Sequence, residues 1–380
     1  MMKMFCLFVL FTLAASADDD LTLSAALSSP QAMASLYSSF EKDHGRHFQP
    51  AEERMRLRIF QKTVQKVASL NSHTTWHSAL NDFADKTEDE KRGYLGLNVS
   101  LAIGPPSAPM LSLAAPASKS WISDGAVTEV KNQGSCGSCW AFSAVASLEG
   151  RYKVLTGVLR QMSEGQMLDC SYTYKNGCNG GWMKDGINWL KRHKRLASAA
   201  DYSYLGFDNY CKSYRSHENS IIGATVDSYK ELSDNKLYVK DSTTINALIS
   251  GPVSITLNVI DSFQSYSSGI YADSTTATSP NHAMTAVAYT PQYILIKNSW
   301  GTTWGDNGFI KLARNWYGCA FHMYVGHPVL SRSRVTDNSP SDLATSYQPC
   351  DDQHYHCDVI KHFCYLEKVE RECRKSCGEC

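Results

Sequence analysis

Gln133-Gly134-Ser135-Cys136-Gly137-Ser138-Cys139-Trp140-Ala141-Phe142 decides how this 380-residue chain is read. Two cysteines stand three residues apart, and a tryptophan then opens an apolar run. Beyond Cys139, Ala141, Val145 and Leu148 recur near helical spacing, which predicts a helix beginning at Cys139. A thiol attacks only as the thiolate. The N-terminus of a helix carries the positive end of the peptide dipole and favours that anion. Cys139 is therefore a candidate nucleophile. The plainer alternative makes it one of two cysteines that are bridged or bound to metal.

A nucleophilic thiol needs a base, and His282 in Asn281-His282-Ala283-Met284 is the candidate. It is the histidine that precedes a strand-like run, Thr285 to Tyr289, followed by a short turn at Thr290-Pro291-Gln292. The next predicted strand, Tyr293 to Lys297, delivers Asn298-Ser299-Trp300-Gly301. A histidine on one strand and an asparagine after its neighbour suit a base and the group that orients it. An imidazolium beside Cys139 would lower its pKa further and give a thiolate–imidazolium pair.

On these residues the chain resembles the papain-like cysteine proteases, and the cathepsin L group among them. His282 falls 143 residues after Cys139, inside the interval of about 130–150 residues met in that family. The resemblance implies an α+β fold of two lobes, one helical and one β-barrel-like, with the catalytic pair across the seam and the chain termini crossing between lobes. It implies Cys139 as nucleophile, His282 as acid and base, and Asn298 as acceptor of the imidazole N–H. Gln133 and the Cys139 backbone N–H would form the oxyanion hole. Trp300 would cover the Asn298–His282 contact, and Trp304 would line the leaving-group side. No metal or organic cofactor is needed for such chemistry. The helix-rich lobe is expected from about Trp121 to Ser228. The strand-rich lobe follows, with residues 252–257 and the strands of His282 and Asn298 as its core.

The segments before this region have their own signatures. Met1 to Ala17 read as a secretory signal: Lys3, an apolar core from Met4 to Leu13 too short to span a bilayer, and a small-residue cleavage site. Leu36 to Asn71 turn charged and helical, with Glu52, Arg56, Phe60, Thr63, Val67 and Asn71 in one helical stripe. The stripe is similar to the interrupted Glu-Arg-Phe-Asn-Ile-Asn pattern of cathepsin L-like propeptides, with Thr63 and Val67 as departures. Asn81, Phe83 and Asp85 resemble the Gly-x-Asn-x-Phe-x-Asp motif that follows it, with Ala79 for the glycine. The implied role of residues 18–114 is an inhibitory propeptide lying through the cleft. Residues 96–116 are rich in Gly, Pro, Ser and Ala and suit a proteolytic cut. Pro116 and Trp121 are spaced as near mature N-termini of the family, so the peptidase domain is expected at 115–330. Asn98-Val99-Ser100 is a glycosylation sequon.

Thirteen cysteines in a secretory chain imply bridges. The family implies Cys136–Cys178 and Cys170–Cys211. Cys319 has no family partner here, because residues 272–280 hold no cysteine; a buried free thiol or an intermolecular bridge are both open. After a linker at 331–349, Cys350, Cys357, Cys364, Cys373, Cys377 and Cys380 read as a disulfide knot. His354, His356 and His362 raise a metal site as the rival, but the spacing fits no zinc pattern. The segment 350–380 resembles the sea-anemone-toxin-like (ShKT) domain, which implies Cys350–Cys380, Cys357–Cys373 and Cys364–Cys377. Glu367 and Lys368 replace the lysine–tyrosine pair of its channel-blocking members, which argues against channel block.

By resemblance, Gly180 and Gly181 admit a substrate backbone. Trp182, Met183, Thr256, Pro280, Ala283 and Tyr324 line the pocket for the side chain two residues before the scissile bond. No carboxylate stands among them, so apolar or aromatic side chains are expected there. The leading function is a secretory-pathway cysteine endopeptidase made as a zymogen, secreted or lysosomal. The alternatives are a weakly catalytic binding protein acting through the terminal domain, and an inhibitor released as the free propeptide. Expected partners are protein and peptide substrates, the chain's own propeptide and inhibitors of the cystatin type, with a monomer as the working state. Equal counts of basic and acidic residues, 37 each, exclude binding to nucleic acid or membrane through bulk charge, and no segment is long enough to span a membrane.

Overall fold

The computed structural model describes residues 19–98, 100, 115–171, 177–212, 219–232, 239, 241–275, 279–314 and 324–333. The expected signal segment, Cys319 and the six terminal cysteines of the expected ShKT-like domain lie outside the described residues. The N-terminal segment is helical from residue 19 to 28 (α1), then forms α2 (Pro30–Asp43) and α3 (Pro50–His73). The segment read as helical over 36–71 spans the end of α2 and most of α3, which carries the whole predicted stripe. Pro30 and Pro50 open the two helices, as their fixed φ and missing N–H suit a first helical turn. The Ser29 hydroxyl caps α2 by accepting from Ala32 N. Tyr37, Phe40, Phe60, Val64 and Val67 form a separate small core between α2 and α3. The Arg56 of the predicted stripe is buried and forks onto Glu52 of its own helix and Glu90 of α4 (Glu88–Arg92).

The main body is built on α5 (Cys139–Thr156), which starts at the predicted residue and ends at Gly157 in the left-handed conformation. Nearly every residue from Cys139 to Tyr152 is buried. Helices α6 (Glu164–Cys170) and α7 (Met183–His193) pack on it. Disulfides Cys136–Cys178 and Cys170–Cys211 staple the loops of this lobe. The other lobe holds β4 (Val253–Leu257), β7 (His282–Tyr289), β8 (Tyr293–Lys297) and β9 (Phe309–Ala313), paired antiparallel in the order 4-7-8-9.

The sheet does not stop at the seam. β3 (Ala224–Glu231) pairs with β10 (Val325–Arg332), which pairs with β4. The lobe boundary expected at Ser228 therefore falls inside β3, because β3 packs on α7 while sharing the sheet of the second lobe. At the other end, β2 (Lys119–Ser120) pairs with β7. The N-terminal segment docks through β1 (His77–Ser78), which pairs with β5 (Tyr266–Ser268). Asn81 adds a bond from its side chain to Gln264 O at 2.8 Å.

Candidate active site

Three elements meet at the seam. Cys139 is the first residue of α5, His282 the first of β7, and Asn298 follows β8 directly. Pairing of Leu257 with His282 and Thr285 with Lys297 fixes the two strands that carry them. His282 Nε2 and Asn298 Oδ1 are 2.8 Å apart, so Nε2 carries the hydrogen and Asn298 accepts it. The other ring nitrogen, Nδ1, is buried and has no hydrogen-bond partner. Trp300 lies against the imidazole, tilted by 32° with ring centroids 4.6 Å apart, and meets Trp304 edge-on. Trp304 is buried and donates its N–H to Gln264 O, the carbonyl that also receives Asn81.

Gln133 is held on both ends of its amide. Its Oε1 accepts from Ser299 Oγ at 2.6 Å. Its Nε2 donates to Cys136 O at 2.8 Å and to Tyr94 O at 3.0 Å. The second acceptor belongs to the N-terminal segment, which runs straight across Cys139. Gly96 O accepts from Gly181 N at 2.9 Å, Asn98 N donates to Gly181 O at 3.1 Å, and Leu97 N donates to Asn281 O at 3.1 Å. The Gly96 and Ala283 N–H groups bond the Cys139 sulfur. Glycine is required at two of these places. A Cβ on Gly96 would lie 1.7 Å from Gly137 O, and one on Gly181 would lie 2.6 Å from the Trp140 ring.

This cover changes the surroundings of both groups. Burial pushes the Cys139 thiol up to about 11 and the His282 imidazole down to about 4. Both shifts favour the neutral forms while the N-terminal strand lies over the site. The reason is desolvation: taking two charges from water costs more than their partners return, and Asn298 raises the imidazole only in part.

Several of the pocket candidates lie close together. Thr256 and Ala283 are register partners on β4 and β7, and Trp182, Met183 and Pro280 are buried beside them. Tyr324 meets the Trp182 ring edge-on at 4.8 Å. Leu97 and Tyr324 both pack against the core cluster that contains Trp182, Met183 and Ala283. Sequence reasoning missed Glu231, which accepts the Trp182 indole N–H at 2.7 Å. It also missed a buried charge cluster between the lobes. Lys131 bridges Glu149 and Glu164, and Lys297, next to Asn298, donates to Thr128 at 2.9 Å. Neither set has a periodic or motif signal, so no reading of spacing finds them. Asn98 is exposed, and its Oδ1 accepts from Ser100 N and Oγ.

Among the described residues no group of His, Cys, Asp and Glu is placed to hold a metal, and no helix is long and apolar enough to cross a membrane.

Comparison with known proteins agrees with this geometry. Residues 115–329 match the family described as Papain family cysteine protease, and residues 37–90 match the Cathepsin propeptide inhibitor domain. Digestive cysteine proteinase 1 of Homarus americanus is 35% identical over 298 residues, 73% of this chain and 89% of that protein. A KDEL-tailed cysteine endopeptidase of Arabidopsis thaliana is 32% identical over 82% of this chain and 90% of its own length. Among solved structures, recombinant stem bromelain precursor superposes with a TM-score of 0.70 at 32% identity, over 78% of this chain and 98% of that one. Digestive procathepsin L 3 of Tenebrio molitor larval midgut gives 0.68 at 30% identity, over 78% and 99%.

Proposed function

The chain belongs to the papain family of cysteine proteases and is a cysteine endopeptidase carrying a cathepsin propeptide, and from that premise we propose that Cys139 is its nucleophile, silenced until residues 18–114 leave. The observation that carries this reading is the Gly96 strand, which lies on the Cys139 sulfur while His282 and Asn298 stand assembled beside it. The thiol meets the Gly96 N–H, a donor.

Once the strand leaves, water reaches Cys139 and His282 and the desolvation that favours their neutral forms is relieved. The thiol proton passes to His282 Nδ1, the atom left unpartnered in the covered state. The thiolate attacks the scissile carbonyl. Its oxygen becomes an oxyanion held by the Cys139 N–H and by Gln133 Nε2, which the departure of Tyr94 O frees. His282 returns the proton to the leaving amine as the C–N bond breaks. Water then attacks the thioester, His282 takes its proton, and the acid product and free thiol are released. Asn298 keeps the ring in the required tautomer throughout.

Leu97 packed against the pocket residues supports an apolar preference two residues before the scissile bond. The propeptide, a peptidase domain at 115–330 and a secretory route, with delivery to the exterior or a lysosome, complete the reading. Alkylation by a peptidyl electrophile tests it. One equivalent should add at Cys139 after activation, and His282→Ala should slow the addition by orders of magnitude. Equal labelling in His282→Ala would refute the assigned pair.

A further inference from the structure

Trp182 walls the pocket, and its indole N–H is buried with it. A buried N–H left without an acceptor is destabilising, so its partner governs where the ring can sit. That partner is Glu231 at the end of β3. Its Oε1 accepts from Trp182 Nε1 at 2.7 Å and its Oε2 from Lys184 Nζ at 2.9 Å. The strand pairing that places Glu231 also places the opposite wall. Glu231 is the register partner of Gly326 on β10, Leu232 N bonds Val325 O at 2.8 Å, and Tyr324 immediately precedes that strand. Tyr324 O in turn accepts from Thr256 N at 3.1 Å, tying a third pocket residue to the same frame.

We propose that Glu231 is the positioning residue of the specificity pocket: by accepting the indole N–H it fixes the Trp182 ring edge-on to Tyr324, and so sets which side chain is accepted two residues before the scissile bond. A carboxylate makes this bond stronger than a neutral acceptor would. Lys184 is the second donor and balances the charge. Oε1 faces the indole and Oε2 the ammonium, and the Lys184 charge offsets the one that would otherwise draw a substrate guanidinium. The inference rests on the endopeptidase reading, since it assigns a role within that same site.

The test compares activated wild type with Glu231→Gln, Glu231→Ala, Glu231→Met, Trp182→Phe and the double variant Trp182→Phe/Glu231→Ala. Each is assayed on peptides carrying Val, Leu, Phe or Arg at the position in question. Active enzyme is counted by alkylation of Cys139. Glu231→Ala should shrink the kcat/KM ratio between the best and worst apolar side chain roughly tenfold, mostly through KM, the scale on which apolar pockets discriminate. Glu231→Met, which fills the volume without an acceptor, carries the same expectation if the alanine variant does not fold. Glu231→Gln keeps a carbonyl oxygen for the indole and should hold the wild-type ratio. In the Trp182→Phe background, with no N–H to hold, Glu231→Ala should leave the ratio unchanged. A uniform fall across all four peptides, or an unchanged ratio in alanine and methionine variants that alkylate fully, would overturn the role of Glu231 alone. A wild type that alkylates at Cys139 but turns over no peptide would instead overturn the endopeptidase reading beneath it.

Discussion

Replacing Gly96 by alanine is the smallest change that should open the covered site. The added Cβ would lie 1.7 Å from Gly137 O, 2.1 Å from Gly137 C and 2.4 Å from Gly137 Cα. All three atoms are backbone, and Gly137 is tied by its own N–H to Cys178 O at 2.9 Å beside the Cys136–Cys178 bridge. The enzyme side cannot yield, so the strand must lift. Lifting it breaks the bonds Gly181 N to Gly96 O, Asn98 N to Gly181 O and Leu97 N to Asn281 O. At about 0.5–1.5 kcal/mol each, the loss is about 1.5–4.5 kcal/mol. That raises the population of open cleft by roughly tenfold to a thousandfold. The assay is alkylation of Cys139 by a small reagent in the unprocessed proform at neutral pH, with mass spectrometry to verify that the propeptide is still attached. Gly96→Ala should label faster by a factor in that range. Equal labelling rates for Gly96→Ala and wild type would refute the claim that this strand seals the thiol.

Acid should loosen the cover, and the sign follows from two groups. His282 sits at about 4 when covered, below its ordinary 6.5, so the covered state loses stability as pH falls from about 6.5 toward 4. Glu90 is lowered to about 2, chiefly by its bond to Arg56, so its contribution is full above about 4.5 and fades as pH falls toward 2. Tryptophan fluorescence of Cys139→Ala proform should therefore change between about pH 6.5 and 3, and a flat signal over that range would contradict the assignment. Gln133→Ala should lower kcat by roughly a hundred- to a thousandfold with little change in KM, as loss of one oxyanion donor does; a loss confined to KM would make Gln133 a binding residue only.

Much of this was legible because local pattern and tertiary need coincide. The helix at Cys139 and the strand ending at Lys297 fall where the spacing of Ala141, Val145 and Leu148 and the turn at Thr290-Pro291-Gln292 put them. Arg56, Phe60 and Val67 of the stripe are buried as an amphipathic face should be. The break between α2 and α3 escaped because Pro50 suits a helix start as well as a loop. The shift of Cys139 and His282 toward their neutral forms under the cover escaped for a different reason. Dipole and imidazole arguments describe an open site, while Gly96 arrives from far along the chain and removes the water those arguments assume. Glu231 pairs with Trp182 across β3 and α7, and only the folded sheet brings the two together.

Acid treatment of the purified proform, with mass and peptide cleavage followed together in wild type and Cys139→Ala, tests the central claim most directly. The account predicts that wild type sheds the segment before about residue 115 and then cleaves a peptide with Leu or Phe two residues before the scissile bond, while Cys139→Ala does neither. Turnover by Cys139→Ala, or a wild type that is trimmed by an added protease and still cleaves nothing, would contradict it.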